Sequence, residues 1–305
     1  MKIWVHRYEL APRAPSTRAV RHGALLKVEW FGGQFGYSDV HPWPEFGEAP
    51  LEEHLKSVAA VDFSPLVENS LGFNYLDREF RWLKRSAFLG LILPRSHRLV
   101  ENIINLEAQQ LLEWHAEAFT HVKVKMGDSL KIETEALVQL VCSSPMLWRL
   151  DMNGKLSSAE FTPWWDALDH AVKARIDFVE DPVSDGELLT RGPWAMDWKP
   201  LLTAPVRVIK TPRDGTEELG RFQRVVFTHS LDHPLGQACS TWVAARYYAQ
   251  KPTMKEVCGL ADPGLYEPTD FHRKWPSPGP RMKPTEGTGF GFDELLASIS
   301  WERVL

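Results

Sequence analysis

Five charged residues, set in or at the C-terminal ends of four consecutive short apolar runs, constrain this chain more than any other feature. HVKVKM (121–126) holds Lys123 and Lys125, LWRLDM (147–152) carries Asp151, IDFVED (176–181) carries Glu180, and VRVIK (206–210) ends on Lys210. A fifth run, RVVFTHS (224–230), follows, and helical patterns separate several of them, as at 132–141 and 161–174. Strands alternating with helices predict right-handed βαβ units and a parallel sheet, open or closed into a barrel. In such folds the loops at the C-terminal strand ends converge on one mouth, where chemistry is done.

Taken singly, these residues have ordinary explanations. A Lys-x-Lys in a strand is often a solvated edge, and a strand-ending Asp is often a helix N-cap. Five in succession are harder to explain that way, because an unpartnered buried charge costs several kcal/mol. Strand alternation points Lys123 and Lys125 to the same side. If that side is the interior, each ammonium depresses the other's pKa, and one can serve as a neutral base. Converging carboxylates without nearby His or Cys form a hard, oxygen-rich site suited to Mg²⁺ or Mn²⁺ rather than zinc. Such an ion, flanked by lysines from different strands, can stabilise the anion made by removing a proton beside a carboxylate.

The rest of the chain sets the frame. Strand-like alternation at 1–10 and 24–30, glycines 32, 33 and 36, a turn-rich loop at 41–50 and helices opening at Pro50 and spanning 75–91 predict a small α+β unit. The Pro- and Gly-rich stretch 275–288 reads as a surface loop, and the amphipathic piece 292–305 as a return onto a domain. The predicted organisation is 1–96, 97–274 and 275–305. The N-terminus lacks the pattern of a signal peptide, and the longest apolar stretch, 87–93, is too short to span a bilayer, so a cytoplasmic protein is expected. Cys142, Cys239 and Cys258 contain no CxxC pair and fit reduced thiols. The net charge of -5 and the absence of a basic run argue against a nucleic-acid partner. The thirteen Trp are bulky core or cleft residues and carry no functional signal by themselves.

In order, KVKMG (123–127), RLDMN (149–153), FVEDP (178–182) and VIKTP (208–212) resemble the successive strand motifs of the enolase superfamily, nearest to its o-succinylbenzoate synthase branch. The resemblance covers nearly the whole chain. Residues 36–55 stand where the family has its cap-domain substrate loop, 228–237 look like its seventh-strand segment and 288–296 like its return to the cap. The fold this implies is a modified TIM barrel, (β/α)7β, with an α+β capping domain formed by the N-terminal region and the C-terminal segment. The resemblance also assigns roles. Lys125 is the base, Lys123 tunes it, and Lys210 stabilises an enediolate from the opposite face. Asp151 and Glu180 are metal ligands, supported by Asn153 and Arg149, and Mg²⁺ is the cofactor, with Mn²⁺ as an alternative. The implied reaction is dehydration of 2-succinyl-6-hydroxy-2,4-cyclohexadiene-1-carboxylate in menaquinone biosynthesis. The partner is therefore a small carboxylate.

The third ligand strains the pattern. Asp197, in WAMDW (194–198), is the best-placed acid, with Asp181 and Asp185 as competitors. It sits 17 positions after Glu180 and 13 before Lys210, so one or both crossover helices must be short or missing. His229 and His233 read as lining or structural residues, and Ser230 as a carboxylate contact or a cap. Arg21, His22 and Gly23 form a polar stretch that the resemblance places as a mobile lid. The glycines of 287–292 follow no strand and do not form a nucleotide loop. Three rivals remain: an N-succinylamino acid racemase or dipeptide epimerase on the same scaffold, a metal-free Schiff-base aldolase, and a non-catalytic barrel.

Overall fold

The computed structural model describes residues 1–14, 18–185, 192–197, 204–211, 213–214, 219, 222–275 and 279–305. Two sheets organise them. Strands β1 (Lys2–Leu10), β2 (Arg21–Trp30), β3 (Gln34–Val40) and the short β11 (Glu302–Arg303) form an antiparallel sheet in the order β11-β1-β2-β3. Helices α1 (Leu51–Ala60) and α2 (Pro65–Trp82) complete this unit. Its core is Ile3, Val5, Leu26, Val28, Leu55 and Val67 with their neighbours. The return of the C-terminus is thus literal: Trp4 pairs with Arg303.

The second sheet is parallel. It runs β10 (Arg224–Thr228), β9 (Val206–Lys210), β8 (Trp194–Met196), β7 (Ile176–Glu180), β6 (Leu147–Asp151), β5 (His121–Lys125), β4 (Arg98–Val100). The segment around Cys258 and Gly259 closes it. Gly259 bridges Thr228 of β10, and Cys258 bridges Ser96 beside β4, both in parallel sense. Seven strands and a closing segment make the expected (β/α)7β barrel. Around it lie α3 (Ala108–Ala116), α4 (Leu130–Ser143), α5 (Ser158–Ala167), α6 (His170–Lys173), α7 (Pro234–Gln250) and α8 (Asp270–Lys274). The final helix, α9 (Asp293–Ser298), precedes β11. No helix among the described residues is long and apolar enough to cross a membrane.

Alternation within each barrel strand decides what faces inward. Val122 and Val124 of β5, Trp148 and Leu150 of β6 and Val179 of β7 join the outer core under the helices. Ile209, Val225 and Phe227 do the same on the other side. Phe178, Ala195, Val206, Val208 and Val226 form a small core inside the barrel. The inward positions that line the cavity carry the charged residues together with Leu99 and Thr228.

Several local boundaries differ from expectation. The helix expected at 75–91 starts earlier, with Pro65 at its first turn and Ser64 as N-cap, and ends at Trp82, just before Lys84 takes a positive φ. The helical pattern 161–174 is two helices, since Asp169 caps a new start. Arg21, His22 and Gly23 do not form an open lid: they pair with Leu10, Glu9 and Tyr8 inside β2. Arg21 also covers the Trp43 ring at 3.5 Å and pairs with Glu45 at 2.6 Å. No helix lies between β7 and β9 among the described residues, and Trp198 and Pro212 lie outside them.

One buried carboxylate ties the capping unit to the C-terminal return. Asp77, on α2, accepts from the Tyr37 N–H at 2.9 Å, the Phe290 N–H at 2.7 Å and Arg81 Nε at 2.5 Å. Arg81 in turn donates to the Gly291 carbonyl and pairs with Asp293. Gly36 lets β3 lie against α2, for a Cβ there would sit 2.0 Å from the Asn74 carbonyl oxygen. Asp77→Ala strands two backbone donors and takes from Arg81 its buried anionic partner, so chemical denaturation should show a loss of roughly 3–5 kcal/mol. An unchanged unfolding midpoint would show that the clamp is dispensable.

Candidate active site

The inward charges meet in a cavity of about 350 Å³ at the C-terminal mouth of the barrel. Its lining includes Lys123, Lys125, Asp151, Asn153, Asp181, Asp197, Lys210 and Arg213. That volume is near the lower end for small-molecule sites. Lys125 on β5 and Lys210 on β9 are four strands apart in a closed ring of eight positions, so they stand on opposite walls.

Lys123 is the hub. Its Nζ donates to Glu180 Oε1 at 2.6 Å and lies 2.9 Å from Asp151 Oδ2, with all three side chains buried. Burial alone would lower the lysine's pKa, but the two carboxylates outweigh it and raise the value. The sequence predicts mutual depression of Lys123 and Lys125. Only half of that holds, because Lys123 has acquired two anions. Lys125 is lowered, chiefly by burial, against the opposing pull of Asp151 and with help from Arg18 and Lys123. Burial works to raise Asp151, yet Lys123 holds it below its ordinary value. Glu180 is pushed up by burial despite Lys123.

Asp197 directly follows β8 and pairs with Lys210 and, at 2.9 Å, with Arg213. Burial, reinforced by Arg213, lowers Lys210 to about 8. The acids separate into two groups. Oxygens of Glu180, Asp181 and Asp197 all lie within 4.8 Å of one another. Asp151 is joined to Glu180 through Lys123. Asp181 has positive φ and accepts from the Asp197 N–H at 3.1 Å, which brings it into the cluster. Asp185 does not join. It accepts from the backbone N–H and hydroxyl of Ser158, both at 2.8 Å.

The donor set suits a hard divalent cation. It consists of carboxylate oxygens, and Glu180 Oε2 is buried without a hydrogen-bond partner among the described residues. Glu180, Asp181 and Asp197 would hold such an ion, with Asp151 next in reach.

The other expected residues divide. Asn153 lines the cavity, and its N–H donates to Asp151 Oδ1 at 3.1 Å. Arg149 is fully buried but turns toward the barrel floor, away from the acids it was expected to support. It donates to Asp177 at 2.8 Å, to His97 Nδ1 at 3.0 Å and to the Val257 carbonyl at 2.7 Å. His229 spends both nitrogens, Nδ1 accepting from the Leu231 N–H and Nε2 facing the Ala261 carbonyl. His233 caps α7. Ser230 lines the cavity, and its carbonyl accepts from Trp43 Nε1 at 2.9 Å, which joins the 41–50 loop to the mouth. Sequence reasoning misses Arg213 and His97. Arg213 follows the Lys210 strand closely enough to have been a candidate, but His97 precedes an unremarked three-residue strand and carries no sequence signal.

Lys123→Met leaves Asp151 and Glu180 adjacent and uncompensated. In chelating buffer, denaturant unfolding should register a loss of roughly 3–5 kcal/mol. Wild-type stability in that variant would mean the triad is not a buried ionic unit.

Comparison with known proteins agrees with this architecture. Residues 3–80 match the family described as O-succinylbenzoate synthase, N-terminal domain. The chain is 30% identical, over 99% of its length and 98% of the relative's, to the o-succinylbenzoate synthase of Bdellovibrio bacteriovorus. Among solved structures, the dipeptide epimerase of Enterococcus faecalis V583 superposes with a TM-score of 0.74 at 15% identity, covering 95% of this chain and 98% of that one. The muconate lactonizing enzyme of Mucobacterium Smegmatis superposes at 0.71 and 16%, covering 97% and 99%. Strand motifs, barrel, cap and full-length similarity agree: the chain belongs to the o-succinylbenzoate synthase family.

Proposed function

We propose that this enzyme dehydrates 2-succinyl-6-hydroxy-2,4-cyclohexadiene-1-carboxylate to o-succinylbenzoate, a step of menaquinone biosynthesis, in the cytoplasm. The observation that carries this reading is the pair of lysines, Lys125 and Lys210, on opposite walls of one cavity beside an acid cluster. The full-length similarity to a synthase supports this reaction over the others proposed for the scaffold.

In this reading the substrate carboxylate lies over Glu180, Asp181 and Asp197, with Asp151 close by. Mg²⁺ bound to those acids supplies positive charge for that carboxylate; the Enterococcus faecalis epimerase is known in complex with Mg. Lys125, kept below its ordinary pKa by burial, takes the α-proton in its neutral form. Lys210, a cation on the facing wall, stabilises the negative charge that develops on the carboxylate. The electron pair then expels the ring hydroxyl, and Lys125 returns its proton to the departing oxygen on the same face. Water leaves and the ring becomes aromatic. Lys123 stays charged throughout and holds Asp151 and Glu180 in place. The same two lysines would serve an N-succinylamino acid racemase or dipeptide epimerase by moving a proton from one face to the other, so both substrate types belong in the assay.

In a spectrophotometric synthase assay, Lys125→Ala should lose roughly 10²–10⁴-fold in kcat with its circular dichroism retained, and chelator should abolish turnover in the wild type. Full activity in that variant would end the mechanism. Because the base must be neutral, kcat/KM should rise with pH along a limb centred below the ordinary lysine value of 10.5. A limb centred above that value would assign the proton transfer to another group.

A further inference from the structure

His97 lies just before β4 and lines the same cavity as Asp197, which follows β8, four strands round the ring. Arg149 Nη1 lies 3.0 Å from His97 Nδ1. A guanidinium only donates, so Nδ1 must be the bare, accepting nitrogen, and the proton of the neutral ring must sit on Nε2. Burial and the neighbouring Arg149 charge also keep this imidazole neutral.

The Cε1–Nε2 edge is held against Gly259, another cavity-lining residue. A Cβ built on Gly259 would come within 2.8 Å of His97 Cε1, 2.9 Å of its Nε2 and 2.7 Å of Thr228 Cγ2. No described residue accepts from His97 Nε2, and the Thr228 hydroxyl is also unpartnered among the described residues. His229 cannot supply a donor here, since both its nitrogens are engaged. The β4 side of the cavity therefore presents a fixed, uncharged N–H.

We propose that His97 binds substrate there, its Nε2–H donating to an oxygen of the succinyl arm while the ring carboxylate lies at the acids. This rests on the functional reading above, whose substrate carries a second oxygen-rich arm in addition to the reacting carboxylate. A donor without net charge selects an oxygen acceptor at the far end of the cavity and leaves the charge balance around Lys125 unaltered. Arg149 acts here through His97, by fixing which nitrogen holds the proton.

Two substitutions separate binding from support of Arg149. Asparagine places its side-chain oxygen near the position of Nδ1 and can still accept from Arg149, but it has nothing at Nε2. Glutamine places its amide N–H near Nε2 and gives up the Nδ1 acceptor. If His97 binds substrate, His97→Asn raises KM roughly tenfold or more with a smaller effect on kcat, and His97→Gln recovers most of that KM. If His97 only satisfies Arg149, the order reverses: the glutamine variant melts earlier, and the asparagine variant keeps wild-type KM. That result overturns the proposal. Nitrogen chemical shifts of His97, assigned by their loss in the asparagine variant, need no substrate and should report the Nε2–H tautomer; an Nδ1–H ring overturns it as well. Wild-type enzyme without synthase turnover would instead overturn the functional reading, and with it the identity of the arm, while the tautomer measurement still tests the geometry.

Discussion

Much of this molecule depends on burying an ammonium between two carboxylates inside a barrel. Lys123, Asp151 and Glu180 come from three adjacent strands, and in parallel register Lys123 sits opposite Arg149 while Asp151 sits opposite Glu180. None of the three could be buried alone at acceptable cost; together the ammonium offsets part of the charge of both acids and ties three adjacent strands to a common point. Their mutual attraction also accounts for the split in behaviour between the paired lysines of β5. Lys123 is consumed by its anions, which leaves Lys125 as the lysine whose charge is weakened by burial.

A second ionic layer lies deeper. Arg149 and Arg224 share Asp177, Arg224 also binds Glu256 at 2.7 Å, and Phe178 lies under both guanidinium groups. Asp177 is available because the β6–β7 register slips between Trp148 and Arg149, which makes it an extra residue on β7. This floor does more than fill the barrel. Through Arg149 it reaches His97 at the cavity wall, so the packing of the interior and the polarity of the site are linked by one hydrogen bond.

The capping unit shapes the remaining wall. Trp43 is stacked beneath Arg21 and hydrogen-bonded to the Ser230 carbonyl, so a loop of the cap is fixed to the mouth of the barrel. Asp77 and Arg81 secure the chain's C-terminal return against the same cap. The likeness in fold to an epimerase and a lactonizing enzyme at 15–16% identity shows how far this scaffold tolerates sequence change. Different chemistries on it must therefore be chosen by the residues that line the cavity.

Local alternation and strand order, which are properties of contiguous residues, determined a parallel sheet, open or closed, with Lys123 and Lys125 on one side of a strand and Asp151, Glu180 and Lys210 at strand ends. The closed barrel and the cap with its C-terminal return were implied only by the resemblance of the strand motifs to a known family. What the sequence left open was decided by tertiary structure. Asp181 rather than Asp185 joins Glu180 and Asp197, because a positive-φ turn and a backbone hydrogen bond hold it there while Asp185 caps a helix. Lys123 and Lys125 titrate in opposite directions because only one of them meets two acids. Arg149 leaves the acid cluster for the barrel floor, and His97 gains a fixed tautomer, through contacts between strands distant in sequence. Periodicity reports which way a side chain points; which partners it finds there depends on how the strands close around it.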